Sequence, residues 1–267
     1  MKREFLVFGA LSVFAILALS GCGEEVGENS ESTSPKAPDD LSTTGTPVRD
    51  LIDPFEGGDL TDWTMESGLW TAKDGVIIGK TDGEIPHNQF LIWNGRDLKD
   101  FELTCELRLI GDNNSGIQYR SQVLTDVGFD VMKGYQCDVH PNPPYTGMLY
   151  DERGRGILAT RVQKVAITEE GKKILLEDHG EPPAIDVSSW NTYMIRAEGN
   201  HLQHKINGQL AVDVIDLQES ERELTGKIGF QVHQGKPMEI HIRNIRIEEL
   251  PEGKILTLGD LEIPADG

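Results

Sequence analysis

The sequence predicts an all-β fold, a two-sheet β-sandwich. From Leu51 to Leu250 apolar residues recur mostly at every second position, the period of a half-buried strand. Asp74-Gly75 and Asn207-Gly208 interrupt that alternation, and such dipeptides adopt the positive φ angles that tight hairpins require. The sequence has no βαβ alternation, glycine-rich nucleotide loop or Gly-x-Ser-x-Gly elbow, which argues against doubly wound and α/β-hydrolase folds.

Taken in order, the chain opens on a leader. Lys2 and Arg3 precede an apolar run from Phe5 to Leu19, too short for an ordinary membrane span and suited to a signal-peptide core. Leu19-Ser20-Gly21-Cys22 then looks like a bacterial lipoprotein signal. We therefore expect a signal peptide over 1–21 and lipidation at Cys22. The expected location is the bacterial cell envelope, in the outer membrane if the cell is Gram-negative, since Gly23 rather than Asp follows the cysteine. Residues 22–48 are rich in Glu, Asp, Ser, Thr and Pro and too poor in large apolar groups to repay the entropy of folding, so they read as a disordered tether.

The domain is expected over 49–250. Leu69–Lys73 and Val76–Lys80 flank the first turn signal. Phe101, Leu103, Cys105, Leu107 and Leu109 alternate with polar residues, as do Ile117 with Tyr119 and Phe230 with Val232. Trp190–Ala197, His201–Ile206 and Gln209–Val214 read as a meander, and only Leu217–Leu224 reads as helical. Met238, Ile240 and Ile242 set an alternation that slips at Asn244, so a β-bulge is expected near Arg243–Asn244. The tail, 251–267, reads as an extra edge strand or a free end.

Acidic residues number 45 against 25 Lys plus Arg, a net charge of −20, so the chain lacks the basic footprint of a nucleic-acid binder. Three cysteines exclude a disulfide-stapled mini-protein. Cys105 and Cys137 fall on apolar faces and read as two buried thiols, or as a disulfide should their strands bring the Cα atoms within about 7 Å.

Several outward faces carry groups suited to a ligand rather than to solvent. Gln118 and Arg120 share one, Gln136, Asp138 and His140 a second, Gln231 and His233 a third, and His241 and Arg243 a fourth. If those strands are neighbours, they form a polar groove fit for a polyhydroxyl ligand. Asp138 and His140, completed by His233 or by Glu152, also make a candidate N/O set for one divalent metal ion, without a fixed-spacing motif behind it. The segment Leu149 to Gly156 concentrates Tyr150, Asp151, Glu152, Arg153 and Arg155 beside a proline-stiffened loop, His140 to Gly147. His204 sits on the apolar parity and reads as a hydrogen-bonded inner or rim residue. His87, His179 and His201 read as surface.

About 200 residues then resemble a known family. Phe55-Glu56-Gly57-Gly58 with Trp63, Asn114-Ser115-Gly116-Ile117 with Tyr119-Arg120, and Gly134-Tyr135-Gln136-Cys137-Asp138 appear in order. Leu149-Tyr150-Asp151-Glu152, Trp190-Asn191, Asn207-Gly208, Gly229-Phe230-Gln231-Val232-His233 and Arg243-Asn244-Ile245 follow. This series resembles the 3-keto-disaccharide hydrolase family, and Glu56 with Gly58 departs from its common opening. The resemblance implies a concanavalin A-like jelly roll acting on glycosides already oxidised at C3. It also implies an upstream sugar 3-oxidoreductase that supplies them.

That chemistry needs a base, an acid and positive charge near an oxyanion. Asp138 is then the first choice of base, with His233 a second base or acid and Glu152 the acid for the leaving group. Arg120 or Arg155 would stabilise the enediolate. Gln136, Gln231 and Tyr150 would hold sugar hydroxyls, with Gln118, His241 and Arg243 along the groove. Trp190 reads as core. The competing expectation is a non-catalytic carbohydrate-binding envelope lipoprotein, which would need no acid or base at Asp138, Glu152 and His233.

Overall fold

Strands form where apolar and polar residues alternate, and the computed structural model, which describes residues 51–264, contains seventeen of them among those residues. The leader, Cys22 and the tether lie outside the described residues. The first nine strands are β1 (Leu51–Ile52), β2 (Trp63–Thr64), β3 (Trp70–Lys73), β4 (Val76–Thr81), β5 (Gln89–Trp93), β6 (Phe101–Ile110), β7 (Ser115–Val123), β8 (Met132–Val139) and β9 (Leu149–Glu152). The rest are β10 (Gly156–Ala159), β11 (Gln163–Ile167), β12 (Lys173–Asp178), β13 (Asn191–Glu198), β14 (His201–Ile206), β15 (Gln209–Asp216), β16 (Lys227–Val232) and β17 (Met238–Glu249).

They form two sheets. One has ten strands in the order β12-β11-β15-β14-β13-β6-β17-β4-β3, with β1 paired to β17. The other has seven, β10-β9-β8-β7-β16-β5-β2. The architecture is a jelly-roll-like β-sandwich, as the alternation predicts. Its core lies between the inner faces, where Phe101, Leu103 and Leu107 of β6 meet Ile117 and Tyr119 of β7 and Phe230 of β16. Each such buried Leu or Phe contributes about 1.5–3 kcal/mol. Cys105 and Cys137 are free and buried there, and burial pushes the Cys105 thiol up to about 12.

A polar link at His204 crosses this core. Tyr119 Oη of β7 lies 2.9 Å from His204 Nε2 of β14, and His204 Nδ1 donates to the Gly147 carbonyl at 3.1 Å. Burial drives the imidazole down to about 4, so it is neutral and each ring nitrogen is satisfied. His204 is an inner residue, as its parity predicts.

The Asp74-Gly75 and Asn207-Gly208 hairpins form, and β17 carries its bulge between Arg243 and Arg246, with Asn244 at φ 54°. Three expectations need correction. Leu217–Leu224 is not helical: one hydrogen-bonded turn, in which the Glu221 and Arg222 amides both donate to the Gln218 carbonyl, is all that forms. Trp190 is half-buried on the outer face of the ten-stranded sheet rather than in the core, with the Arg243 guanidinium 4.1 Å and the Arg108 guanidinium 4.9 Å from its ring centroid. The described part of the tail is neither strand nor free: it carries a 3-10 turn, Leu258–Asp260, and is tied down by hydrogen bonds to the domain. The Gly253 amide donates to Asp100 Oδ2 at 3.2 Å, and the Leu256 amide donates to Asn200 Oδ1 at 2.7 Å. Gly199, at φ 55°, lies under this strap, where a Cβ would stand 2.1 Å from the Lys254 carbonyl oxygen.

Candidate functional site

The neighbouring strands β9, β8, β7 and β16 put alternate side chains on the outer face of the seven-stranded sheet. Gln136 is the register partner of both Gln118 on β7 and Tyr150 on β9, and Asp138 is the partner of Gly116. A Cβ at 116 would stand 2.4 Å from the Gln136 amide carbon, so a larger residue there would displace that side chain. The Gln136 side chain lies across that gap and donates from Nε2 to Asp138 Oδ1 at 2.6 Å.

A cavity of about 550 Å³ opens over this face. Gln136, Asp138, Tyr150, Glu152, Gln231 and His233 line it, all predicted from the sequence, and His140 joins them. The sequence reading missed Asn88, Asn114, Tyr145, Met148 and Arg153, and placed His87 on the surface although it lines the rim. Asn88 comes from the loop before β5, and its alternation-free surroundings carry no signal of what it reaches.

The electrostatics set two carboxyls apart from ordinary surface acids. Burial pushes Asp138 up to about 7, with the Glu152 charge adding to the rise and the Gln136 hydrogen bond opposing it. Burial also raises Glu152, against the hydrogen bond from Asn88 and the charges of Arg153 and His233. Asn88 Nδ2 donates to Glu152 Oε1 at 3.2 Å. Two imidazoles use Nδ1 in opposite senses. His233 Nδ1 lies 2.6 Å from the Gln234 carbonyl, which can only accept, so Nδ1 carries a proton and donates there. His140 Nδ1 accepts from the Asn142 amide at 2.9 Å, leaving its Nε2 protonated, and burial lowers its basicity.

Three amides have unsatisfied buried atoms: Gln231 at both Oε1 and Nε2, Gln136 at Oε1 and Gln118 at Nε2. Such groups cost about 1–3 kcal/mol each when unpaired and are satisfied by a hydroxyl-rich ligand or by water. Gln118 itself is covered, its Oε1 accepting from Ser121 at 2.9 Å, and it is not part of the cavity wall.

Four further predicted site residues stand elsewhere. Arg120 is turned away by a register shift after Tyr119, where its own φ is 45°. It is fully buried, donating to the Lys99 carbonyl at 2.7 Å, the Gly199 carbonyl at 2.6 Å and Asp100 Oδ1 at 3.1 Å. Arg155 donates to Asp151 Oδ2 and Asp216 Oδ2, each at 2.7 Å, and those carboxylates hold its guanidinium on the Tyr135 side of the sheet. His241 and Arg243 lie on β17, in the other sheet. There His241 Nδ1 pairs with Arg108 Nη2 at 3.0 Å and Arg243 Nε with Glu106 Oε2 at 2.5 Å. Among the described residues, Arg153 is the one arginine on the cavity wall.

Asp138, His140 and His233 all line this cavity. Among the described residues no group of three or more His, Cys, Asp or Glu side chains is arranged to hold a metal ion. Asp138 Oδ1 accepts from Gln136, His140 Nδ1 accepts from the Asn142 amide and His233 Nδ1 lies on the Gln234 carbonyl.

Residues 50–248 match the family described as a 3-keto-alpha-glucoside-1,2-lyase-like domain. The chain belongs to this family. No curated protein matches the chain. Two solved structures, both described as putative glycosyl hydrolases from Parabacteroides distasonis, share the fold of this lyase-like domain. One is 17% identical, with a TM-score of 0.52 over 75% of this chain and 94% of its own. The other is 17% identical, with a TM-score of 0.50 over 75% of this chain and 100% of its own. Within the 3-keto-alpha-glucoside-1,2-lyase-like domain, the cavity on the seven-stranded sheet is where buried carboxyls and unpartnered amides converge.

Proposed function

We propose that this protein cleaves 3-keto-glycosides by elimination followed by hydration. The observation that carries the reading is Asp138, a buried carboxyl pushed to about 7 beside unpartnered amides in a sugar-sized cavity. A base with that pKa is matched to neutral pH. The family supports a sugar-acting enzyme, and the site supplies the parts for this particular route.

A carbonyl at C3 acidifies the proton on C2. Asp138 removes it, and the electron pair of the C–H bond moves to the C3 oxygen as an enediolate. Arg153 and the Gln231 amide both line the cavity and would supply positive charge and an N–H to that oxygen. The enediolate then collapses, the bond from C1 to the leaving oxygen breaks, and Glu152 gives that oxygen a proton. A C1–C2 double bond remains in a 2-hydroxy-3-keto-glycal. Water adds across it, the hydroxyl to C1 and the proton to C2, so one water is consumed and nothing is oxidised. His233, its Nδ1 fixed on the Gln234 carbonyl, lines the cavity and would activate that water through Nε2. These steps use side chains alone and need no carboxylate pair of the ordinary glycosidase kind.

The test incubates the full chain with chromogenic 3-keto-glucosides of both anomers, with and without chelator. Aglycone release with a transient unsaturated keto-sugar is the expected result. Sugar binding without release from either anomer overturns the reading in favour of a binding module. Release abolished by chelator restores a divalent ion to the mechanism.

A further inference from the structure

The cavity wall changes chemistry from one edge of the sheet to the other. On the β16 and β8 side it is polar, with Gln231, Gln136 and Asp138. On the β10 side it is not. Ile157 is the register partner of Tyr150, which is in turn the partner of Gln136, so Gln136, Tyr150 and Ile157 form one row across β8, β9 and β10. β10 is the edge strand, and there Ile157 keeps 36% of its surface exposed while lining the cavity. Met148 and Tyr145, at the end of the proline-stiffened loop, line the same cavity and extend this wall. The His140 and Tyr145 rings meet edge to face at 5.3 Å, which fixes the orientation of the tyrosine. Charged Glu152 and Arg153 stand two and three residues beyond Tyr150, at the β9–β10 turn.

We propose that this wall is the leaving-group subsite and that it takes an uncharged aromatic aglycone in preference to a second sugar. The proposal rests on the reading of the cavity as a 3-keto-glycoside site. An isoleucine left exposed on an edge strand loses free energy to water unless a ligand covers it. An aromatic ring covers Ile157 and Met148 by contact and offers its edge or face to Tyr145. A second sugar would bring hydroxyls to the two aliphatic side chains, which hold no donor or acceptor for them. The polar half already has the unpartnered amides that a keto-sugar ring satisfies, so the two halves divide one substrate between them.

The test uses ligands that cannot react. In C-linked 3-keto-glucosides the bond at C1 is to carbon, so elimination is blocked. Calorimetry compares a C-phenyl 3-keto-glucoside with a C-linked 3-keto-disaccharide on the full chain, on Ile157→Ser and on Tyr145→Ala. The phenyl compound is expected to bind at least about tenfold tighter to the parent protein. Ile157→Ser is expected to remove most of that preference and leave the disaccharide unchanged. Equal affinities, a preference for the disaccharide, no binding of either, or a preference that survives both substitutions each overturn the subsite. Because no turnover is involved, a preference with no cleavage of O-linked substrates would keep the subsite and sink the enzyme. Cleavage with no preference would do the reverse.

Discussion

The side-chain amide of Asn88 joins Glu152 to the turn that carries His233. Its Nδ2 donates to Glu152 Oε1 at 3.2 Å, and its Oδ1 accepts from the Gln234 amide at 3.1 Å. One residue thus spans the cavity and positions two groups of the proposed mechanism. The bond favours the ionised carboxyl, so its removal raises Glu152 further. Asn88→Ala is therefore expected to lower kcat roughly tenfold and to move the basic limb of the rate profile to higher pH. Rates measured across pH on parent and variant check this, and an unmoved limb would remove Asn88 from its positioning role.

Asp138 must be ionised to accept the C2 proton. Its carboxyl sits at about 7, so kcat/KM is expected to rise as pH passes through that value. Asp138→Asn is expected to lose about 10²–10⁴ in turnover while keeping its fold. A rate that falls through pH 7 would instead make Asp138 the acid and Glu152 the base.

The same carboxyl governs stability. In the unfolded chain its value lies near 3.8, and in the fold near 7, so the folded state binds the proton more tightly between these limits. Stability is therefore lost as pH rises through that window. Asp138→Asn removes the buried charge and keeps an acceptor for Gln136. The variant is expected to be about 2–4 kcal/mol more stable than the parent at pH 8 and close to it at pH 4. Denaturant titrations at both pH values measure the difference.

Arg120 acts on the fold. Arg120→Ala leaves the Asp100 carboxylate buried without its guanidinium and strips donors from the Lys99 and Gly199 carbonyls. A loss of about 3–5 kcal/mol in unfolding free energy is expected. A stable variant with only kcat reduced would return Arg120 to the chemistry.

We propose from the leader sequence that Cys22 carries a lipid anchor. Cys22→Ser is expected to accumulate as uncleaved precursor, with the matured, membrane-retained form absent. Equal amounts of lipidated, membrane-bound protein from both would remove the proposal.

The fold was legible because alternation is a local signal. β6 and β17 can be read residue by residue, and the β17 bulge shows as a break in parity. The site was legible only as far as strands run straight and share a sheet. Gln136, Asp138 and Gln231 keep their parity and meet. Arg120 has the same parity as Gln118 on paper, but a left-handed residue in a register shift reverses it, and nothing in Tyr119-Arg120-Ser121 announces that. His241 and Arg243 show the second blind spot. Their pattern matches that of Gln231 and His233, yet which sheet a strand joins is decided by long-range pairing. Trp190 has the composition of a core residue, and only the cross-strand arrival of Arg108 and Arg243 explains why it can stay half in water.

The strap over Gly199 bears on where this protein can be shortened. By composition the domain ends at Leu250, and a chain cut there retains all seventeen strands. It would nonetheless lose the Gly253 amide from Asp100 and the Leu256 amide from Asn200, opening to water the ion pair that holds Arg120. The C-terminal limit for expression is therefore set by a lid on a buried charge, several residues past the last strand.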